Sequence, residues 1–141
     1  MLAVTILGNN SALQVFDRHP SSQVVTLNDQ LFLVDCGEGT QTQLAKYRIK
    51  RSRINNIFIS HLHGDHYFGL MGLITSMGLL GREPALHVYA PAPLKSIIDL
   101  QLTVSGTILP YPLHFHALGE GVLVRTENYE VSCFKAFHRI E

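Results

Sequence analysis

Apolar and polar positions along the chain change period repeatedly, and each change marks a boundary between a short extended segment and a helical one. Residues 3–8 read as a first strand. Residues 23–29 and 30–36 follow as a hairpin with Asn28 and Asp29 in its turn. After a glycine-flanked turn, residues 41–50 mix polar and apolar positions at helical spacing, with Thr40 as the expected cap. Residues 54–60 form an isoleucine- and phenylalanine-rich strand, and residues 67–80 an apolar run long enough for a buried helix. A strand at 85–91, a helix at 92–104 and three strands at 111–118, 121–126 and 129–137 complete the pattern, with a turn at 127–130. Strand pairs, then helices, then more strands predict an α/β (α+β) layered domain.

The 141 residues have room for one modest domain, 1–141, or for part of a larger one. A hydrophobic content of 46% with 16% charged residues excludes a disordered chain. Formal net charge is zero, so a nucleic-acid partner has to be met by a local patch and not by the field of the whole molecule. Cys36 and Cys133 are the only cysteines and suggest free thiols in a reducing compartment. The N-terminus has no basic segment or cleavage pattern, and the longest uncharged run is too short for a bilayer. A cytoplasmic protein with no membrane partner is expected. The chain stops directly after an apolar strand, as though a longer domain had been cut at its C-terminus.

Chemistry concentrates in one place. Residues 60–66, SHLHGDH, put three histidines and an aspartate between a strand and a helix, a crowding that packing does not explain. Imidazole nitrogen and carboxylate oxygen together suit zinc, with manganese or iron as further options. His61 and His63, two apart on an extended segment, point the same way and can share one ion. Asp65 and His66 follow Gly64, whose freedom at turn dihedrals can swing them toward a second ion. That is a two-metal layout, which polarises a substrate oxygen and activates a water.

Other residues are weighed against it. Asp35, at a strand end, is expected to orient a histidine from behind, and Glu38 to favour a helix N-terminus. Residues 46–53 hold five of the eleven basic side chains, Lys46, Arg48, Lys50, Arg51 and Arg53. They either contact phosphates or neutralise a helix C-terminus. His114 and His116 share a strand face but lack an adjacent carboxylate or third histidine, and His19 and His87 read as lone structural residues. Gly8, Gly37 and Gly39 fit no nucleotide motif and are assigned to turns.

The cluster resembles the His-x-His-x-Asp-His signature of the metallo-β-lactamase superfamily. Within it, FLVDCGEGTQTQL at 32–44 resembles the ribonuclease Z family, as do ILGNNSAL at 6–13 and HPSSQVV at 19–25, although Gln14 stands where a proline is expected. FKAFHRIE at 134–141 resembles the segment that carries the family's next ligand, His138. The resemblance implies an αββα sandwich, here its N-terminal half, and cleavage of precursor tRNA at its 3′ trailer by metal-hydroxide attack with two zinc ions. It also implies that His61, His63 and His138 hold one ion and that Asp65 and His66 hold the other, with Asp65 also the catalytic base. A bridging aspartate, a final histidine and the tRNA-gripping arm belong to the second half of such enzymes. The fragment is therefore expected to hold at most one ion well and to be inactive alone. The rival readings are a superfamily hydrolase acting on a cyclic nucleotide or another ester, and a non-catalytic half that forms a homodimer through its exposed sheet edge.

Overall fold

The computed structural model describes residues 1–13 and 15–137; the predicted ligand His138 lies outside them. Among the described residues there are eight strands and three α-helices: β1 (Leu2–Gly8), β2 (Ser22–Leu27), β3 (Gln30–Cys36), α1 (Thr40–Lys46), β4 (Ile54–Phe58), α2 (Leu70–Leu79), β5 (Leu86–Ala90), α3 (Pro93–Val104), β6 (Leu113–Ala117), β7 (Gly121–Arg125) and β8 (Glu130–Cys133). Strands β1 to β6 lie in sequence order in one sheet, antiparallel across β1, β2 and β3 and parallel from β3 to β6. The last hairpin, β7 with β8, is separate. The three terminal strands of the sequence reading therefore divide between two sheets.

Alternation along each strand sorts the side chains onto two faces. Leu31, Leu33, Ile57, Leu86 and Val88 point to the face that the helices cover, where Leu44, Leu70, Leu73, Ile74, Leu94 and Ile98 meet them in the main core. Phe32, Phe58 and Tyr89 point the other way. Among the described residues Leu118 and the β7–β8 hairpin cover that second face, the hairpin through Leu123, Val124, Tyr129 and Val131. Leu2, Val4 and Ile6 of β1 remain exposed, at 68%, 54% and 46%.

Helix α1 is shorter than its predicted 41–50. It ends where Arg48 takes a left-handed backbone, φ 56°, and Ile49 N–H and Arg48 N–H turn back to the Leu44 and Ala45 carbonyls. This is the geometry of a Schellman stop, usually signalled by glycine. Arginine at that position hid it. At the other end Gly39 is the cap residue, while Thr40 is already helical and its Oγ1 donates to the Gly37 carbonyl. Glu38 precedes the helix and is not in its first turn.

Candidate metal centre

Because β3 and β4 are parallel, with Val34 opposite Phe58, their C-terminal ends emerge side by side. Asp35 is thereby brought against Ser60. The Asp35 carboxylate is buried and is a hub: Ser60 N–H donates to Oδ1 at 2.8 Å, while Ser60 Oγ at 3.0 Å and Ser21 Oγ at 3.1 Å donate to Oδ2. His66 Nδ1 sits 2.6 Å from the same Oδ2. Asp35 itself has a left-handed backbone, φ 58°, and its carbonyl accepts from Ser22 Oγ at 3.1 Å. Strain at a non-glycine residue persists only where surroundings over-determine it, as this hub does. Asp35 thus touches His66 directly.

The imidazoles gather in front of the hub. His61 Nε2 lies 3.0 Å from His63 Nδ1, and the His61 and His66 rings are 4.0 Å apart. His66 Nε2 lies 3.6 Å from Asp65 Oδ2. These are two donor pairs, each close enough to share an ion with bonds of about 2 Å. Among the described residues no group of three or more His, Cys, Asp or Glu is arranged to hold an ion by itself. The donor chemistry of imidazole nitrogen and carboxylate oxygen fits zinc.

Two glycines lie against the loop. Gly64 begins a single 3-10 turn, Gly64–His66, and it is not in the left-handed region, so its role is not the dihedral freedom expected of it. It makes room instead: a Cβ there would stand 2.2 Å from the Phe68 ring. A Cβ on Gly37 would stand 2.4 Å from the Asp65 carbonyl oxygen, which clamps the loop onto the end of β3.

Other predicted residues are elsewhere. The basic stretch enters β4 from its N-terminal end while the histidines leave its C-terminal end, and a five-residue strand between them is about 17 Å long. Arg51 Nη1 donates to Gln41 Oε1 and Ser76 Oγ, and Arg53 Nη2 to the Asp29 carbonyl; Lys46, Arg48 and Lys50 are exposed. His87 is not the lone residue expected. Its Nδ1 lies 2.9 Å from His116 Nε2, with planes within 20° and centroids 5.2 Å apart, so the two rings face head-on across β5 and β6. That is an N–H···N hydrogen bond, not two nitrogens converging on an ion. Burial, then neighbouring His116, His114 and Arg82, hold His87 below its ordinary pKa; burial, then His114, does the same to His116. Burial pushes the Cys36 thiol up to about 12, which makes it inert. Ser21 and Ser60 are the residues that sequence reasoning missed. Their only signal was a serine immediately before the histidine motif and a serine pair before β2.

An open cavity of about 1020 Å³ adjoins the cluster, lined by Phe32, Phe58, Ser60, His61, Tyr129 and Lys135 among others. It lies on the sheet face that the helices leave bare. A sheet backed by helices on one side, with histidines at its strand ends and its other side open, is part of a metallo-β-lactamase fold, and that is the class of this chain. Human tRNase Z, short form, superposes with a TM-score of 0.74 at 39% identity over 89% of this chain and 47% of that one. The Zn(2+)-bound PqqB of Methylobacterium extorquens shares the fold alone, with a TM-score of 0.66 at 14% identity over 94% of this chain and 55% of that one. The chain belongs to the family described as Anti-Pycsar protein Apyc1, whose model matches residues 2–139. The Ribonuclease Z of Bacteroides fragilis is 46% identical over 138 residues, which are 96% of this chain and 45% of that protein. The likeness to ribonuclease Z seen in the motifs is therefore found along nearly the whole chain. The chain spans about half the length of the curated relatives it matches.

Proposed function

We propose that this chain is the N-terminal half of a metal-dependent endoribonuclease of ribonuclease Z type, which removes the 3′ trailer of precursor tRNA in the cytoplasm. The observation that carries the reading is the placement of two donor pairs, His61 with His63 and Asp65 with His66, against the Asp35 hub. The identity to Ribonuclease Z supports the substrate. Zinc is the leading ion, and manganese or iron also suits the donors. Bound there, such an ion supplies Lewis-acid polarisation of the phosphate and of a water.

The chain's own residues do the rest. His61, His63 and His138 hold one position, Asp65 and His66 a second. Asp65 would also orient the attacking water and accept its proton. Lys46, Arg48, Lys50, Arg51 and Arg53, far from the cluster, meet backbone phosphates away from the cut. Five donors of this half hold at most one ion well, so the 141 residues alone are inactive.

The test is a precursor tRNA with a 3′ trailer, incubated with zinc and protein expressed from the complete reading frame that contains these residues. Cleavage to a 3′-hydroxyl tRNA that disappears in Asp65→Ala and on chelation is expected; an intact substrate under all metals rejects the reading. A second reading is a hydrolase of smaller phosphodiesters such as cyclic nucleotides, and the family model that matches this chain is described as something other than ribonuclease Z. Cyclic nucleotides in the same assay separate the two.

A further inference from the structure

We infer that Ser60 is a positioning residue whose hydroxyl fixes the tautomer of His61, so that a single buried carboxylate, Asp35, aims two imidazoles at once. The inference rests on the metal reading for its purpose but not for its evidence. Hydrogen-bond accounting around Asp35 leads to it. A carboxylate is an acceptor, a serine hydroxyl has one hydrogen to give, and a neutral imidazole has one nitrogen of each kind. Ser60 Oγ lies 3.0 Å from Asp35 Oδ2, 3.0 Å from His61 Nδ1 and 3.3 Å from His66 Nδ1. The carboxylate can only accept, so in the bond between these two oxygens Ser60 is the donor, beside Ser21 Oγ and His66 Nδ1 on the same Oδ2. The Ser60 oxygen is then left as an acceptor.

His61 Nδ1 must therefore carry the hydrogen it donates to Ser60. His66 Nδ1, 2.6 Å from Asp35 Oδ2, must do the same. Both rings become Nδ1–H tautomers with Nε2 bare. Those bare nitrogens are the ones that face the donor partners: His61 Nε2 meets His63 Nδ1 at 3.0 Å, and His66 Nε2 meets Asp65 Oδ2 at 3.6 Å. The direction of the relay is set from one end, because its terminal member cannot donate. Asp35 acts directly on His66 and through Ser60 on His61, which sit on the two different donor pairs. The Ser60 N–H bond to Asp35 Oδ1 at 2.8 Å fixes the backbone of the relay as well. Ser60 itself is exposed, so its hydroxyl is not needed to fill the core.

The experiment reads tautomers in the metal-free chain at pH 8, by two-bond nitrogen–proton correlation of the histidine rings, in wild type, Ser60→Ala and Ser60→Thr. Zinc affinity is measured on the same samples by competition with a chromophoric chelator. Wild type and Ser60→Thr are expected to show His61 as Nδ1–H. Ser60→Ala is expected to lose that preference and to bind zinc about 10- to 100-fold more weakly, the usual cost of removing a partner behind a metal ligand. An Nε2–H tautomer at His61 in wild type overturns the inference without any variant. So does Ser60→Ala with unchanged His61 tautomer and zinc affinity. Zinc that fails to bind wild type with the tautomers as assigned leaves the relay standing, and the same titration on protein from the complete reading frame then decides the metal reading.

Discussion

Gly37 and Gly64 flank the cluster, yet their neighbours predict opposite outcomes for the same added methyl. At Gly37 the methyl meets backbone, the Asp65 carbonyl oxygen, and the Pro20 ring, neither of which can step aside. Gly37→Ala is expected to destabilise the fold by about 1–3 kcal/mol, as overpacking does, and to weaken zinc binding by displacing Asp65. At Gly64 the methyl meets only the far edge of Phe68, which is 66% exposed and can rotate away. Gly64→Ala is expected to stay within about 0.5 kcal/mol of wild type. Urea unfolding of the two variants side by side checks both; equal losses would show that Phe68 is as fixed as the backbone.

At the scale of elements, β5 and β6 join into a pH-sensitive pair. Burial holds His87 and His116 below the ordinary histidine range of about 6.5, so the unfolded chain takes up protons first as pH falls. Their contribution is complete above about 6.5 and is lost as pH drops through and below it. The groups facing them, His114, Arg82 and Tyr89, offer no carboxylate to reverse that sign. Wild type is expected to unfold at lower urea at pH 5 than at pH 8, with the drop reduced in a His87→Gln, His116→Gln double variant. An undiminished drop would place the pH dependence at other histidines. Element β4 shows a simpler dependence: Ile57 is fully buried in the main core, and Ile57→Ala should cost about 2–5 kcal/mol by urea titration.

For the whole molecule the decisive feature is asymmetry. One face of the main sheet is sealed by three helices, and the other has a hairpin at one end and bare Leu2, Val4 and Ile6 at β1. An apolar surface of that kind seeks a cover. The 141-residue chain is expected to self-associate with rising concentration, and Val4→Lys with Ile6→Lys to shift it toward monomer in a sedimentation experiment. A monomer at every concentration in wild type would overturn the homodimer expected from the sequence.

Read by itself, the sequence determined what local spacing determines. Period-two and helical patterns placed most elements within a few residues, and His61, His63, Asp65 and His66 were legible because seven consecutive residues hold them all. The motif likeness fixed the superfamily for the same reason. What only the tertiary structure decided are the relations between segments distant in sequence. Asp35 meets His66 across 31 residues, and Ser21 and Ser60 join them, because parallel β3 and β4 end together. His87 finds His116 across 29 residues for the corresponding reason in β5 and β6. The basic stretch was legible as charge, but its place at the far end of β4 was not. Spacing reports what one element presents; which elements stand side by side is settled by burying their apolar faces together, and that is a property of the whole sheet.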